Sequence, residues 1–288
     1  KVKICNLLDY EKLSKILKNE KPDIVIHLAA QSLVDETINK EKYVLNNVIA
    51  TKNLIKAMKV NKLNNLIFAS TAAVYKDKNK PLKENNKLNP ISTYAKTKFK
   101  CEQIIKNSNI NAIILRFFNV CSSLVYNNNL IGEYHNPETH LIPTVVYKNL
   151  FKKKFYIYGN NYNTKDGTCV RDYVHIKDIC NAINLATDKI YRLKNNKFNV
   201  INIGSSQRKT NLEILNCIEN ITNIKNQFTM VRRRKGDVDF LVCSNSKAKR
   251  FLNWRPKFSQ IDNIIKDEIM WIKKLVKSRK FRKFKNYF

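Results

Sequence analysis

Glycine is scarce in this sequence, with five among 288 residues and all of them from Gly132 onward. The chain before Gly132 therefore has no G-x-x-G-x-x-G loop, the device that brings backbone amides up to a pyrophosphate at a helix N-terminus. Long apolar runs are missing as well. None approaches the roughly 18–20 residues that span a bilayer, so no membrane partner is expected, and the opening Lys1-Val2-Lys3-Ile4-Cys5 lacks a signal-peptide layout. The seven cysteines are odd in number, scattered from Cys5 to Cys243 and never spaced C-x-x-C. That fits mostly buried thiols in a reducing, cytoplasmic compartment better than a disulfide framework or a zinc site. The four histidines show no metal-ligand spacing among themselves, so no metal is expected. Acidic residues are few: 23 against 54 basic ones give a formal charge of +31. Such a field draws in anionic substrates. Lysine and asparagine are nevertheless spread along the whole chain, as solvated faces would carry them, and nucleic acid is not the expected partner.

What is present is a globular composition, 43% hydrophobic and 10% aromatic. Glu11–Asn19 has helical periodicity, Ile24–Ala30 is a short continuous apolar run of the fully buried parallel-strand kind, and Tyr43–Lys62 is read as one helix. A strand over Leu66–Ser70, a helix from Tyr94 to about Ile105 and a strand over Ala112–Arg116 continue the alternation. Strands alternating with helices of this length predict an α/β fold built on a doubly wound parallel sheet. After Asn119 the texture changes: Asn127–Pro143 reads as polar loop, Phe155–Tyr158 as a short strand and Asn160–Arg171 as a turn-rich loop. The expected division is a sheet domain over 1–120 returning at about 146–205, a smaller lobe over about 121–145 and 206–275, and a frayed basic tail at 276–288.

Chemistry concentrates at Tyr94 and Lys98, four apart and so on one face of a helix. A nearby ammonium favours the phenolate, which predicts a tyrosine able to exchange protons nearer neutrality. Upstream, Leu66-Ile67-Phe68-Ala69-Ser70-Thr71 is a strand ending in hydroxyls, where a parallel sheet presents polar groups to a ligand. Strand, hydroxyl, then Tyr-x-x-x-Lys resembles the extended, nucleotide-sugar-modifying branch of the short-chain dehydrogenase/reductase superfamily. The resemblance narrows to the UDP-glucose 4-epimerase (UDP-galactose 4-epimerase) family through segments in family order from Ile24 to about Trp254. They are His27-Leu28-Ala29-Ala30, Ser70-Thr71-Ala72-Ala73-Val74-Tyr75, Arg116-Phe117-Phe118-Asn119-Val120, Asn136-Pro137-Glu138-Thr139-His140-Leu141-Ile142-Pro143, Asp166–His175 and Arg233-Arg234-Lys235-Gly236-Asp237.

The resemblance implies a Rossmann-like domain with a smaller C-terminal substrate-binding lobe, NAD as cofactor, a UDP-sugar as substrate and a homodimer. It implies epimerisation at C4 in galactose metabolism, with Tyr94 exchanging the proton of the 4-hydroxyl, Thr71 bonding the reacting oxygen and Lys98 holding the nicotinamide ribose. The cofactor residues it implies are Asn6, Leu28, Ala29, Ala30, Ser32, Asn47, Ser70, Tyr94, Lys98 and Phe117. The substrate residues it implies are Thr71, Asn119, His140, Leu141, Tyr156, Tyr158, Arg171, Arg234, Asp237 and Leu241. Arginine forks suit the pyrophosphate oxygens bidentately, Asp237 orients one arginine, and Tyr156 and Tyr158 flank the uracil. Leu241, by the same resemblance, faces the sugar. A leucine there predicts efficient UDP-glucose/UDP-galactose interconversion with slower turnover of the N-acetylated pair.

Three departures qualify the match. Asn6 stands where the family has an aspartate near the adenine, and Cys121-Ser122-Ser123 replaces a small pair after Asn119. The absent glycine-rich loop predicts that on the order of 50 residues, a strand–helix–strand unit with its loops, precede Lys1 in the family pattern. On that expectation the chain alone binds NAD poorly or not at all, and a version restored at its N-terminus binds it tightly. Two alternatives stand beside the epimerase: a nucleotide-sugar 4,6-dehydratase, which wants a carboxylic acid where Ala72-Ala73 follow Thr71, and an inactive relative acting as a binding protein.

Overall fold

The computed structural model describes residues 1–32, 39–76, 79–135, 137–193, 197–234 and 237–278. Along the chain these form α1 (Tyr10–Glu20), β1 (Val25–His27), α2 (Lys40–Tyr43), a π-helical turn (Val44–Ile49), α3 (Ala50–Val60), β2 (Asn65–Thr71), a 3-10 turn (Ala72–Val74), α4 (Thr93–Lys106) and β3 (Asn111–Phe117). Next come β4 (Asn119–Cys121), β5 (Leu124–Tyr126), β6 (Asn129–Ile131), α5 (Leu141–Leu150), β7 (Phe155–Tyr158), β8 (Val170–Arg171), β9 (Tyr173–His175), α6 (Ile176–Ile190) and β10 (Phe198–Ile203). The chain continues through β11 (Lys209–Thr210), α7 (Asn211–Thr222), β12 (Phe228–Val231), β13 (Phe240–Leu241), α8 (Ser246–Leu252) and α9 (Ile261–Lys277). Polar caps set the helix starts: Asp9 accepts from Lys12 N–H, Ser92 from Ala95 N–H, and Thr210 forms a capping box with Glu213.

The main sheet runs β1-β2-β3-β10 with every pair parallel. Side chains alternate between its two faces. Leu66, Phe68, Ala112 and Ile114 pack against Leu13 and Leu17 of α1, Leu54, Ile55 and Met58 of α3, and Cys101 and Ile105 of α4. On the other side Ile67, Ile113, Leu115, Ile201 and Ile203 meet Ile179, Ala182, Ala186 and Ile190 of α6, together with Ala248, Leu252 and Trp254. Helices on both faces of a parallel sheet make the fold α/β and doubly wound, as the alternation predicts. A separate core joins α5, α7 and α9 beside β7.

Four expectations change. The Ile24–Ala30 run is not fully buried: Ile26 is 41% and Leu28 56% exposed, because β1 is an edge of the described sheet. The Tyr43–Lys62 helix is interrupted by the π-helical turn at Val44–Ile49, to which apolar spacing is blind. The loop at 127–143 contains the return strand of a hairpin, β5–β6, whose Asn127 and Asn128 both have positive φ (47° and 59°), as a two-residue type I′ turn requires. The sequence-based division also shifts. Within 146–205 only α6 and β10 complete the main sheet, while β7 pairs with β12 and α5 joins the lobe core. Conversely α8, expected in the lobe, packs on the sheet. Asn136, Lys235, Gly236 and the tail from 279 lie outside the described residues.

Candidate active site

β2 delivers Thr71 to the carboxyl edge of the sheet. There its Oγ1 accepts from Ala73 N–H (3.1 Å), starting the 3-10 turn, and a hydrogen bond joins the Thr71 and Tyr94 hydroxyls. Ser92 caps α4, so Tyr94 lies in its first turn and Lys98 one turn on. Burial raises Tyr94 to about 12, and only the bond with Thr71 works against it. This corrects the expectation that Lys98 lowers the tyrosine. The Lys98 ammonium is itself 3% exposed and lies 4.0 Å from the centre of the Phe68 ring, and burial lowers it to about 8 despite Cys101 and Glu102. His27 packs on another side of Phe68, with ring centres 5.4 Å apart, and its Nε2 is 3.0 Å from Thr51 Oγ1. Burial, reinforced by Lys98, holds His27 down at about 4, so it is neutral at pH 7.

The remaining residues expected at the cofactor divide into two groups. Leu28, Ala29, Ala30 and Ser32 follow β1 at the same edge of the sheet; all are exposed except half-buried Ala30. Asn6 is exposed ahead of α1 and accepts from Leu8 N–H, and Phe117 packs partly buried against the α6 side of the sheet. Asn47 and Ser70, by contrast, spend their hydrogen bonds within the protein. Asn47 accepts from Gln31 N–H (2.7 Å) and donates to Gln31 O and Thr97 Oγ1 (3.2 and 3.0 Å), tying the segment after β1 to the helix that carries Tyr94. Ser70 donates to Glu102 Oε1. Glu102 in turn takes Arg116 through both carboxylate oxygens (3.0 and 2.7 Å), and Arg116 donates to the Tyr75 hydroxyl, which donates to Asn202 Oδ1. This buried network props the end of β2 from below, and sequence reasoning misses it. Its signal is an arginine within the apolar strand Ala112–Phe117, a charge that has to find a partner.

A cleft of about 490 Å3 opens beyond the sheet edge and gathers Asn119, His140, Leu141, Tyr156, Tyr158, Arg171, Arg234 and Asp237. Asn119 reaches it from β4, just past Phe117, which is in register with Thr71. β7 turns Phe155 and Ile157 into the core and leaves Tyr156 and Tyr158 exposed, so these tyrosines are not core. Arg234 lies 4.1 Å over the Tyr158 ring, and buried Arg171 pairs with Asp237, which also accepts from the Tyr162 hydroxyl (2.9 Å). Asp172 does not serve Arg171. It accepts from the backbones of Ser205, Ser206 and Cys243 and pins three segments together. Lys148, Lys154 and Asn211 also line the cleft, although nothing in their local sequence marks them. Leu241 is not among its walls. It is paired in register with Arg171 and packs, partly buried, against the cluster of Ala72, Val74, Tyr75 and Phe118 that surrounds the turn after Thr71.

Comparison with known proteins gives a consistent pattern. The family model described as GDP-mannose 4,6 dehydratase matches residues 1–267. A UDP-glucose 4-epimerase of Lactobacillus helveticus is 41% identical over 268 residues, covering 91% of this chain and 80% of that protein. Among solved structures, a UDP-glucose 4-epimerase from Brucella ovis in complex with NAD superposes with a TM-score of 0.85 at 30% identity, over 93% of this chain and 83% of that one. Another, from Bifidobacterium longum in complex with NAD+ and UDP, superposes with a TM-score of 0.82 at 25% identity, over 99% and 84%.

Proposed function

Because the chain belongs to the UDP-glucose 4-epimerase family of extended short-chain dehydrogenases/reductases, we propose that it interconverts UDP-glucose and UDP-galactose by epimerisation at C4, with NAD as cofactor. The observation that carries this reading is the hydrogen-bonded Thr71–Tyr94 pair at the carboxyl end of β2, with Lys98 one helical turn further on. The residues present fit the nicotinamide half of NAD. Lys98 is a desolvated ammonium whose neighbouring carboxylate, Glu102, is taken by Arg116, so ribose hydroxyls are suitable acceptors for it. When bound, NAD supplies a two-electron acceptor that takes up and returns the hydride of the sugar C4.

The protein's own groups do the rest. Tyr94 exchanges the proton of the 4-hydroxyl, and Thr71, already hydrogen-bonded to it, holds the reacting oxygen in line. Lys98 and the Leu28–Ala30 segment hold the cofactor, with Ser32, Phe117 and Asn6 further out. Asn47 and Ser70 contribute by fixing the backbone rather than by direct contact. Arg171 and Arg234 bind the diphosphate, the first oriented by Asp237 and the second by the Tyr158 face. Asn119, His140 and Leu141 line the nucleotide path, Tyr156 and Tyr158 flank the uracil, and Leu241 supports the sugar from behind the Thr71 turn. A 4,6-elimination has less support, because buried Ala72 and half-buried Ala73 stand in that turn and offer no acid. A homodimer and a cytoplasmic location belong to the same proposal, the latter supported by seven free thiols.

Tyr94→Phe tests the reading. Conversion of UDP-galactose to UDP-glucose should fall by about 10^2–10^4-fold while UDP binding, measured by calorimetry, stays near wild type. Near-normal turnover in that variant would remove Tyr94 from the chemistry.

A further inference from the structure

Four side chains converge between the β5–β6 hairpin and the start of α5. Glu133 and His135 come after β6, Glu138 and His140 precede α5, and one ligand-type atom from each lies within 4.8 Å of the others. His140 Nδ1 is 2.9 Å from both Glu133 Oε1 and Glu138 Oε1, and His135 Nδ1 is 2.6 Å from Glu133 Oε1. Glu138 Oε1 is further oriented by the backbone N–H groups of Thr139 and His140 (2.8 Å each). The hairpin side is held from outside by α9. Trp271 Nε1 donates to Glu133 O (2.7 Å), Lys274 Nζ donates to Leu130 O (3.0 Å), and Gly132 rests so closely on the Trp271 ring that a Cβ would come within 2.5 Å of it.

A fifth group points to what the cluster lacks. Glu268 of α9 is 1% exposed and its Oε1 has no hydrogen-bond partner. His135 Nδ1 likewise lacks an aligned hydrogen bond in spite of its short approach to Glu133. Among the described residues no lysine or arginine pairs with Glu133, Glu138 or Glu268; Glu133 and Glu138 have ion pairs only with imidazoles. Three carboxylates are thus crowded together with two imidazoles and, among the described residues, no paired lysine or arginine.

We propose that Glu133, His135, Glu138 and His140 form a binding site for a divalent transition cation of the zinc class, backed by Glu268. Mixed imidazole and carboxylate donors suit Zn2+, and Co2+ as its spectroscopic substitute, better than the all-oxygen sets preferred by Ca2+ and Mg2+. To reach the roughly 3.3 Å edge of a tetrahedron with bonds near 2.0 Å, the contacts of 2.6–2.9 Å open by some tenths of an ångström and the wider separations, up to 4.8 Å, close by about 1.5 Å. The cation binds hairpin to helix and so fixes the stretch that presents His140 and Leu141 to the cleft. This site stands on its own geometry and does not depend on the epimerase reading.

The test uses the whole chain, stripped with a chelator, loaded with Zn2+ and dialysed for elemental analysis, with a parallel Co2+ titration monitored in the visible. The expected result is one zinc ion per chain and Co2+ ligand-field bands without a thiolate charge-transfer band. His135→Ala and the shape-preserving Glu133→Gln should each weaken binding at least by the roughly 10–100-fold that loss of a supporting partner alone costs. Circular dichroism checks that both variants fold. No retained metal, a thiolate band from the cysteines, or wild-type affinity in a folded Glu133→Gln would each overturn the assignment.

Discussion

Lys98→Met is expected to make the protein more stable and inactive at once. The ammonium is carried into the fold at 3% exposure, and burial lowers its pKa from an ordinary 10.5 to about 8. At 1.36 kcal/mol per unit, keeping the charge at pH 7 costs about 3 kcal/mol of folding free energy. The approach to the Phe68 ring, 4.0 Å from its centre, returns about 1 kcal/mol. Methionine keeps the stem that packs beside Phe68 and drops the charge, leaving a gain of about 2 kcal/mol. For a chain of this size that raises the melting temperature by roughly 4–8 °C. The pH dependence distinguishes this cause from simple repacking. Below about pH 8 the lysine is charged in both states and the penalty is complete. Between about 8 and 10.5 the folded state gives up its proton before the unfolded one does. The unfolded state then binds more protons, wild-type stability rises with pH, and the advantage of the variant fades away by about 10.5. Thermal melts of both proteins at pH 7, 8, 9 and 10 measure this, with UDP-galactose turnover as the companion assay. A methionine variant less stable than wild type at pH 7, or a gain that does not shrink on raising the pH, would refute the argument.

Glu102→Gln should cost about 3–5 kcal/mol, because it strips the counter-charge from Arg116 while leaving that guanidinium buried. Urea unfolding measures it, and a loss below about 1 kcal/mol would mean that Tyr75 and Ser70 alone sustain the network. Leu241→Tyr should abolish turnover of the N-acetylated UDP-sugars and leave most glucose/galactose turnover intact, with overpacking against Ala72 and Val74 costing about 1–3 kcal/mol of stability. Equal loss of both activities would make Leu241 a packing residue only.

The sheet is legible in the sequence because its strands are short apolar runs separated by helical periodicity, and Tyr94 and Lys98 are legible because a spacing of four fixes a common face. Burial is not legible. The sequence puts an ammonium one turn from the tyrosine, but whether that ammonium lowers the tyrosine's pKa depends on Phe68 and His27, which enclose it. Pairing between short distant strands is equally hidden: nothing in Phe155–Tyr158 says that it will lie beside Phe228–Val231 rather than in the main sheet. The hairpin at Asn127-Asn128 is masked by the abundance of asparagine elsewhere, although asparagine is a residue that tolerates the left-handed turn it needs. The histidines, inspected without the carboxylates beside them, conceal the Glu133, His135, Glu138, His140 set.

The π-helical turn at Val44–Ile49 has a consequence for insertions and deletions. Such a turn amounts to one residue more than a regular helix would hold. Removing a single residue there would repair the hydrogen-bond ladder and leave the local helix better formed. It would also rotate what precedes the turn by about 100° relative to α3, the angle that one residue subtends at 3.6 per turn. Asn47, within that turn, could not then reach both Gln31 and Thr97, and the clasp between the end of β1 and the Tyr94 helix would open. At this point in the chain, local regularity and a correctly assembled site are mutually exclusive, and the protein keeps the irregular helix.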